Sequence, residues 1–125
     1  MKTIYQSIVT EVGSQVGLFL QDKMIVLFNE TAPSDLREIA VIHQYSPLEE
    51  DITVGDELVI GNQSFKITSV GYKVNETMRE LGHSTVSFNG SLEAELPGTL
   101  CVEDKEVPNI NVSSQIIFRK LSKQI

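Results

Sequence analysis

Two histidines are the residues of this chain best suited to chemistry near neutral pH. His43 follows Ala40-Val41-Ile42, so it lies at the end of a short apolar strand, which Pro47 stops. An imidazole with an ordinary pKa of about 6.5 is largely neutral at pH 7 and can act as a nucleophile. A side chain at a strand end is held rigidly yet can reach solvent, which suits a reacting histidine. A surface histidine or a hydrogen-bonded core histidine is the alternative.

The second histidine, His83, has a different setting. It follows Gly82, the glycine that ends a predicted helix, and it precedes a predicted strand at residues 84–88. Its alternative role is a favourable interaction with the negative end of the helix dipole. Position alone therefore leaves the role of His83 open.

The residue types argue against other kinds of site. A structural zinc site needs about four ligands at short spacings, but the chain has one cysteine and two distant histidines, so we expect no metal and no cofactor. There is no Gly-x-Ser-x-Gly motif and no phosphate-binding glycine loop. We expect Cys101 to be a buried thiol and the acidic run at residues 49–51 to be a solvated loop.

Composition and charge limit the class of protein. The chain has 125 residues, which fits one domain. Its net charge of −7 argues against a nucleic-acid partner, which would require a basic surface, and is compatible with a basic protein partner. The apolar runs are too short for membrane insertion, and the N-terminus lacks a signal-peptide pattern. We therefore expect a cytoplasmic location.

Short β-branched and apolar segments separated by turn residues dominate the chain and predict an all-β fold. The predicted strands are residues 3–12, 24–28, 39–43, 57–60, 64–70, 84–88, 99–102 and 115–121. Helix is scarce: residues 75–82 form the strongest candidate, with Asn75 as the N-cap and Gly82 as the terminator. Residues 14–20 and 34–38 are weaker candidates. One or two short helices should therefore cover the ends of a closed or nearly closed β-barrel.

The sequence also repeats itself at a nearly constant offset, close to half the length of the chain. The matching blocks are residues 9–13 with 67–71, 26–29 with 86–89, 35–43 with 95–103, and 52–60 with 110–118. A tandem duplication, with repeats of roughly 1–62 and 63–125, would give one intertwined domain with a pseudo-two-fold axis. This alignment sets Glu103 against His43, so it predicts one imidazole site per chain.

Three segments together resemble a known family. They are Ile42-His43, the Arg-Glu-Leu-Gly-His-Ser-Thr segment at residues 79–85, and the Glu-Ala-Glu-Leu-Pro-Gly-Thr segment at residues 93–99. With the opening Ile4-Tyr5-Gln6 and the overall length, the chain resembles the glucitol/sorbitol-specific enzyme IIA component of the bacterial phosphoenolpyruvate-dependent phosphotransferase system. The resemblance covers nearly the whole chain.

The resemblance implies a cytoplasmic phosphocarrier. In such a protein a histidine, here His43, accepts a phosphoryl group from the histidine-containing phosphocarrier protein. It passes the group to a cysteine of the cognate IIB component, while the membrane IIC component transports the sugar alcohol. The resemblance also matches His83 to a second histidine of the family, with a supporting role. No metal is required, because phosphoryl transfer depends mainly on positioning and on stabilisation of the oxygens.

The same chemistry predicts the surroundings of His43. A hydrogen bond should hold the non-reacting ring nitrogen. Backbone N–H groups, His83, or hydroxyls such as those of Ser46 and Ser84 should meet the phosphoryl oxygens. An apolar ring should surround the site, and the acidic run at residues 49–51 should form a rim that meets basic residues of the phosphocarrier. The members of this predicted apolar ring are Ile42, Tyr45, Pro47 and Leu48.

Two other functions remain alternatives to a phosphocarrier. A regulatory or adaptor barrel would bind a protein without turnover, and replacing His43 would spare that function. A barrel that binds a polyol is disfavoured, because the chain has no tryptophan and only 6% aromatic residues.

Overall fold

The chain folds into eight strands and three short helices. The structure is a computed structural model that describes residues 1–121. The strands are β1 (Lys2–Val12), β2 (Met24–Asn29), β3 (Val41–His43), β4 (Glu57–Ile60), β5 (Gln63–Val70), β6 (Ser84–Ser87), β7 (Thr99–Val102) and β8 (Gln115–Lys120). The helices are α1 (Val16–Leu20), α2 (Ser34–Arg37) and α3 (Val74–Leu81). All eight predicted strands are present, and residue 121, the end of the last prediction, lies just outside β8.

Three details of the helices differ from expectation. All three candidate segments are helical, so the expectation of one or two helices was too low. The N-cap of α3 is Lys73, not Asn75. The Asn75 side chain instead pairs with the backbone of Ile52, accepting from its N–H at 2.7 Å and donating to its carbonyl at 3.0 Å. None of the helices in the described part of the chain has the length and hydrophobicity to span a bilayer.

The strands close into a barrel in the order β1-β3-β2-β6-β7-β5-β4-β8. Most pairs are antiparallel, but β2 with β3 and β6 with β7 are parallel. Within residues 1–121, closure leaves no unpaired sheet edge that could pair with another chain. The closed barrel predicted from the sequence is thereby confirmed.

The strand order of the barrel has an internal two-fold symmetry. Exchanging β1–β4 with β5–β8 leaves the strand order unchanged. The register of β1 against β3 shifts between Val9 and Glu11, and that of β5 against β7 shifts between Ile67 and Ser69, the corresponding point of the second half. This is the topology that an internal duplication would produce.

The strand registers correct the alignment of the two halves. Val9 pairs with His43, and the equivalent Ile67 pairs with Val102. Val102 therefore stands where His43 stands, and the proposed match of His43 with Glu103 is off by one residue. The equivalent of Glu103 is Gln44, since their backbone N–H groups donate to the carbonyls that precede Ile67 and Val9, respectively. The second half still lacks an imidazole at this position.

Two apolar clusters result from the alternation of side chains along the strands. The larger cluster fills the barrel and includes Ile25 and Leu27 of β2. The smaller cluster lies on the opposite face of β2 and β3, where Val26, Phe28 and Ile42 pack with Leu36 of α2. Further members are Ala32, Ala40, Phe19 and Leu81. Cys101 is buried, as predicted.

Candidate functional site

His43 is the last residue of β3 and is fully buried. Its two neighbours across the sheet are Val9 of β1 and Asn29 of β2. The two-residue period of β3 places His43 on the same face as Val41, a residue of the barrel interior. The expectation that His43 reaches solvent is therefore wrong, because residues of β1 and the end of α3 cover its ring.

Both ring nitrogens of His43 face polar groups. Nε2 lies 2.8 Å from the carbonyl oxygen of Gly82. Nδ1 lies 3.1 Å from the carbonyl oxygen of Gln44 and 3.1 Å from the Ser7 hydroxyl, which itself donates to the Gln44 carbonyl at 2.7 Å. The Tyr5 hydroxyl is 3.4 Å from Nδ1. The ring is thus held at both ends, with a carbonyl at each nitrogen.

The protonation state of His43 follows from its burial. Desolvation lowers the pKa of His43 from its ordinary value of 6.5, and this exceeds the opposing effect of the Gly82 and Gln44 carbonyls. The imidazole is therefore neutral at pH 7, with one proton for two carbonyls. The shorter contact assigns that proton to Nε2, where it is donated to Gly82. Burial also raises the pKa of Tyr5, so its hydroxyl stays protonated and can donate.

A neutral buried histidine makes stability depend on pH. The unfolded chain binds a proton at His43 near pH 6.5, whereas the folded chain binds it only at lower pH. Stability is therefore fully present above about pH 6.5 and is lost as pH falls below it, by up to about 1.4 kcal/mol per pH unit. We expect urea unfolding between about pH 7 and pH 5 to show a steeper loss for the wild type than for His43→Gln. Equal slopes would contradict a neutral buried His43.

Gly82 is the residue that covers His43. It ends α3 in the left-handed conformation, with φ of 58°. A Cβ at this position would lie 2.7 Å from His43 Cε1 and 3.1 Å from the Asn29 Cβ. Only glycine meets both requirements, the positive φ and the close approach to the ring. The C-terminal turn of α3 therefore forms a lid over Nε2, which we call the α3 lid (residues 79–83).

Besides the contacts of His83 with Leu27 and Phe28 of β2, three contacts hold the α3 lid and its helix in place. The Thr77 hydroxyl donates to the His83 carbonyl at 2.7 Å. Arg79 forms an ion pair with Asp51 at 2.6 Å, which joins the lid to the loop after β3. The Asn75 contacts with Ile52 anchor the start of the helix to the same loop. The side chains of Arg79 and Asp51 are both about half exposed, so this ion pair contributes little to the stability of the closed lid.

The other predicted site residues lie around His43 rather than on its ring. His83 stacks on Phe28 with ring centroids 4.6 Å apart, and its Nδ1 is 3.0 Å from the Leu27 carbonyl. Ser84 is fully buried, and its hydroxyl has no hydrogen-bond partner among the described residues. Ser46 is half-buried in the loop after β3. The described part of the chain shows no hydrogen bond from His43 to any of these three side chains.

Sequence reasoning did not single out Tyr5, Ser7 and Gly82 as neighbours of His43. Alternation along β1 places Tyr5, Ser7 and Val9 on one face, and all three are buried. A serine between two apolar residues on an inward face was the available signal, because a buried hydroxyl requires a partner. The identity of that partner depends on the pairing of β1 with β3.

The structure exposes only part of the predicted partner surface. Ile42 and Leu48 are buried, so of the predicted apolar ring only Tyr45 and Pro47 are exposed. In the predicted acidic rim, Glu50 is paired with Lys2 and Asp51 with Arg79. Two of the three rim carboxylates therefore already form ion pairs with basic residues of this chain.

Comparison with known proteins shows the family to which the chain belongs. The family described as "PTS system glucitol/sorbitol-specific IIA component" matches residues 4–117. The glucitol/sorbitol-specific EIIA components of Escherichia coli (strain K12) and Shigella flexneri are each 34% identical over 123 residues, covering 98% of this chain and 100% of the relative. The crystal structure of a PTS system IIA component from Enterococcus faecalis V583 superposes with a TM-score of 0.80 at 28% identity, covering 91% of this chain and 98% of that one. The chain therefore belongs to the glucitol/sorbitol-specific IIA family, a component of a phosphotransferase system that works with other proteins of that system.

Proposed function

We propose that the chain is a cytoplasmic phosphocarrier in which His43 is the transient phosphoacceptor. The donor is the histidine-containing phosphocarrier protein, and the acceptor is the IIB component that serves IIC in the uptake and phosphorylation of glucitol/sorbitol. The observation that carries the proposal is the ring of His43, which is neutral and is held at both nitrogens under the α3 lid. Membership of the IIA family supports the same role.

Nε2 is the reacting nitrogen in this proposal. Nδ1 faces the Ser7 hydroxyl and Tyr5 of β1 and the carbonyl of Gln44, which follows β3 and donates its N–H to Ile8 of β1. Nε2 faces the carbonyl of Gly82, at the end of a helix. Moving one helical turn would free Nε2, whereas freeing Nδ1 would require β1 to separate from β3.

The transfer step then needs only a change of tautomer and an opening of the lid. When the Gly82 carbonyl withdraws, the ring proton resides on Nδ1 and is donated to the Gln44 carbonyl. The Nε2 lone pair attacks phosphorus, a P–N bond forms, and the P–N bond of the donor phosphohistidine breaks, with its electron pair returning to the donor nitrogen. In the onward transfer, the sulfur of a IIB cysteine attacks phosphorus, and the P–N bond to His43 breaks, with its electron pair returning to Nε2. The unpartnered Ser84 hydroxyl and the exposed N–H groups of an opened lid are candidate donors to the phosphoryl oxygens.

Opening of the lid gives a testable effect at Asp51. Asp51→Asn removes the ion pair with Arg79 and should favour the open state, so we expect phosphorylation to become faster by up to about fivefold. If the acidic rim steers the donor protein instead, the same change should slow phosphorylation in a salt-sensitive way. The measurement is the initial rate of phosphoryl transfer from the phosphorylated donor protein.

Glu49→Gln is the matched control for Asp51→Asn. Glu49 is exposed and belongs to the same acidic run, but among the described residues no side-chain ion pair links it to the α3 lid. It therefore loses one rim charge without changing the lid. A rate that falls equally in both variants would contradict a closed lid that slows phosphorylation. It would support steering of the donor protein by the acidic rim.

The overall proposal is tested by phosphoryl transfer in vitro. The protein is mixed with phosphoenolpyruvate, enzyme I and the histidine-containing phosphocarrier protein, and mass spectrometry measures an acid-labile phosphoryl group. Appearance of one such group supports a phosphocarrier. Its absence from the wild type would leave the alternative function, a non-catalytic regulatory or adaptor barrel.

A further inference from the structure

The first half of the barrel holds an arginine side chain against the end of β1. Arg37 Nη1 forms an ion pair with Glu11 at 3.0 Å. The Nε group of the same arginine donates to the Ala32 carbonyl at 3.0 Å, and its Nη2 group donates to the Glu30 carbonyl. A cavity of about 350 Å³ remains beside this side chain. An arginine with three acceptors therefore occupies this place in the fold.

The packing around two glycines identifies the equivalent place in the second half. A Cβ on Gly13 would meet the carbonyl oxygens of residues 37 and 38, and a Cβ on Gly71 would meet those of residues 96 and 97. Leu96 therefore stands in the place of Arg37. The register of β5 on β7 likewise puts Ser69 in the place of the arginine's acidic partner. The second half thus has neither member of the ion pair.

Without the ion pair, the second half has a larger and more apolar opening. Its volume is about 610 Å³, and we call it the β5 notch (Val54, residues 69–72 and residues 92–97). Four large apolar side chains that line the notch are exposed, namely those of Val54, Tyr72, Leu92 and Leu96. Such a cluster of exposed apolar side chains is typical of a surface that binds another protein.

The notch also contains a buried polar atom without a partner. Ser69 lines the notch and is 6% exposed. Its hydroxyl oxygen has no hydrogen-bond partner in the part of the chain that the structure describes. Because buried hydroxyls are normally paired, this one indicates a place where a polar group from outside the chain can bind.

The charge of the notch favours a cation. Glu93 and Glu95 line it, and within residues 1–121 no ion pair engages either carboxylate and no basic residue lines the notch. The nearby Lys73 is already paired with Glu76. A guanidinium carries several N–H donors on an apolar stem. It can therefore bond to both carboxylates and to the Ser69 hydroxyl while its stem packs on the apolar side chains.

We propose that the β5 notch is a docking site for a protein partner that inserts an arginine side chain flanked by apolar residues. The inserted arginine takes the place that Arg37 takes in the first half. The net charge of −7 opposes a second copy of this chain as the occupant. The notch lies at the start of α3, where Lys73 donates its N–H to the Pro97 carbonyl, whereas the α3 lid is at the end of that helix. The inference therefore goes beyond phosphoryl transfer and does not depend on it.

The test is a titration of the isotope-labelled full chain with the peptide acetyl-Leu-Arg-Leu-amide, followed by amide chemical shifts. We expect saturable shifts at Ser69, Gly71 and Leu96. Two matched peptides replace the arginine: citrulline keeps its shape without the charge, and lysine keeps the charge without the planar guanidinium. Both should bind more weakly, the citrulline peptide by at least about tenfold.

Variants of the chain test the acceptors. Glu93→Gln/Glu95→Gln should weaken binding of the arginine peptide at least about tenfold. Glu49→Gln/Glu80→Gln is the matched control, because it removes the same charge from exposed residues outside the notch, and it should bind like the wild type. Ser69→Ala should weaken binding about threefold without destabilising the free chain, in which the hydroxyl has no partner.

Any of four outcomes would overturn the proposal. They are an absence of saturable shifts at the notch, equal binding of the lysine or citrulline peptide, equal binding by the Glu93→Gln/Glu95→Gln variant, and binding of free arginine as tight as that of the peptide, which would make the notch a small-molecule site. The titration is repeated with His43→Gln, which should bind the arginine peptide unchanged. Binding by that variant separates this proposal from the proposed function, since each can fail while the other holds.

Discussion

Replacement of His43 by glutamine is expected to reduce the acid-labile phosphoryl group on this protein to background. Glutamine has polar atoms that can contact the Gly82 and Gln44 carbonyls, but it has no nucleophilic nitrogen. The barrel has no second imidazole at the equivalent position, which Val102 occupies. The measurement is mass spectrometry after incubation with the phosphorylated donor protein, together with circular dichroism to show that the variant is folded.

His83→Asn is the control for this prediction. Asparagine keeps a donor for the Leu27 carbonyl, although the stacking on Phe28 is lost. Because His83 makes no hydrogen bond to His43 in the described part of the chain, we expect this variant to retain the phosphoryl group. Retention of the group by His43→Gln would contradict the assignment of His43, and loss only in His83→Asn would move the phosphoacceptor to His83.

The second large effect is expected at Gly82. An alanine there adopts a positive φ and brings its Cβ to 2.7 Å from the His43 ring. The left-handed conformation costs about 1–2 kcal/mol, and the steric clash adds about 1–3 kcal/mol, so we expect a loss of about 2–5 kcal/mol in the free energy of unfolding. Displacement of the ring from its carbonyl partners should also change the rate of phosphorylation. Urea unfolding and the transfer assay measure the two effects.

Gly61→Ala separates the two causes. Gly61 has a φ of 62°, but no atom of the described residues lies within 4 Å of an added Cβ. It should therefore lose only about 1–2 kcal/mol and leave phosphorylation unchanged. If Gly82→Ala were no more destabilising than Gly61→Ala, the close packing of Gly82 on His43 would have no energetic consequence, and the lid would not be tightly closed.

Much of the fold is predictable because strands and turns are local features. The alternation of β-branched residues and the positions of Gly61 and Gly82 mark where strands and helices end. The repeat is also visible in local patterns, because equivalent strands need the same apolar pattern to face the same core. The position of His43 at the end of an apolar run is also a local feature, although the choice of His43 as the reacting residue came from the resemblance to the family.

The errors of sequence reasoning share a different cause. The Asn75 side chain was expected to cap its own helix, but it binds the backbone of Ile52, which is distant in sequence. Glu103 was matched to His43 because nothing within one strand reveals how it is registered against its neighbour. A shift of one residue exchanges the inward and outward faces of a strand. Such a shift is visible only once β7 is paired with β5.

The environment of His43 likewise depends partly on local sequence and partly on contacts between distant segments. Its place at the end of β3 follows from the order of residues along the chain. Its burial, its neutral charge and its cover by Gly82 depend on β1, the loop after β3 and α3, most of which are far from His43 in sequence. Local patterns specify which segments become strands and which residues can react. Packing between distant segments sets the pKa of His43 and its access to solvent, because both depend on atoms that only the closed barrel brings within a few ångströms.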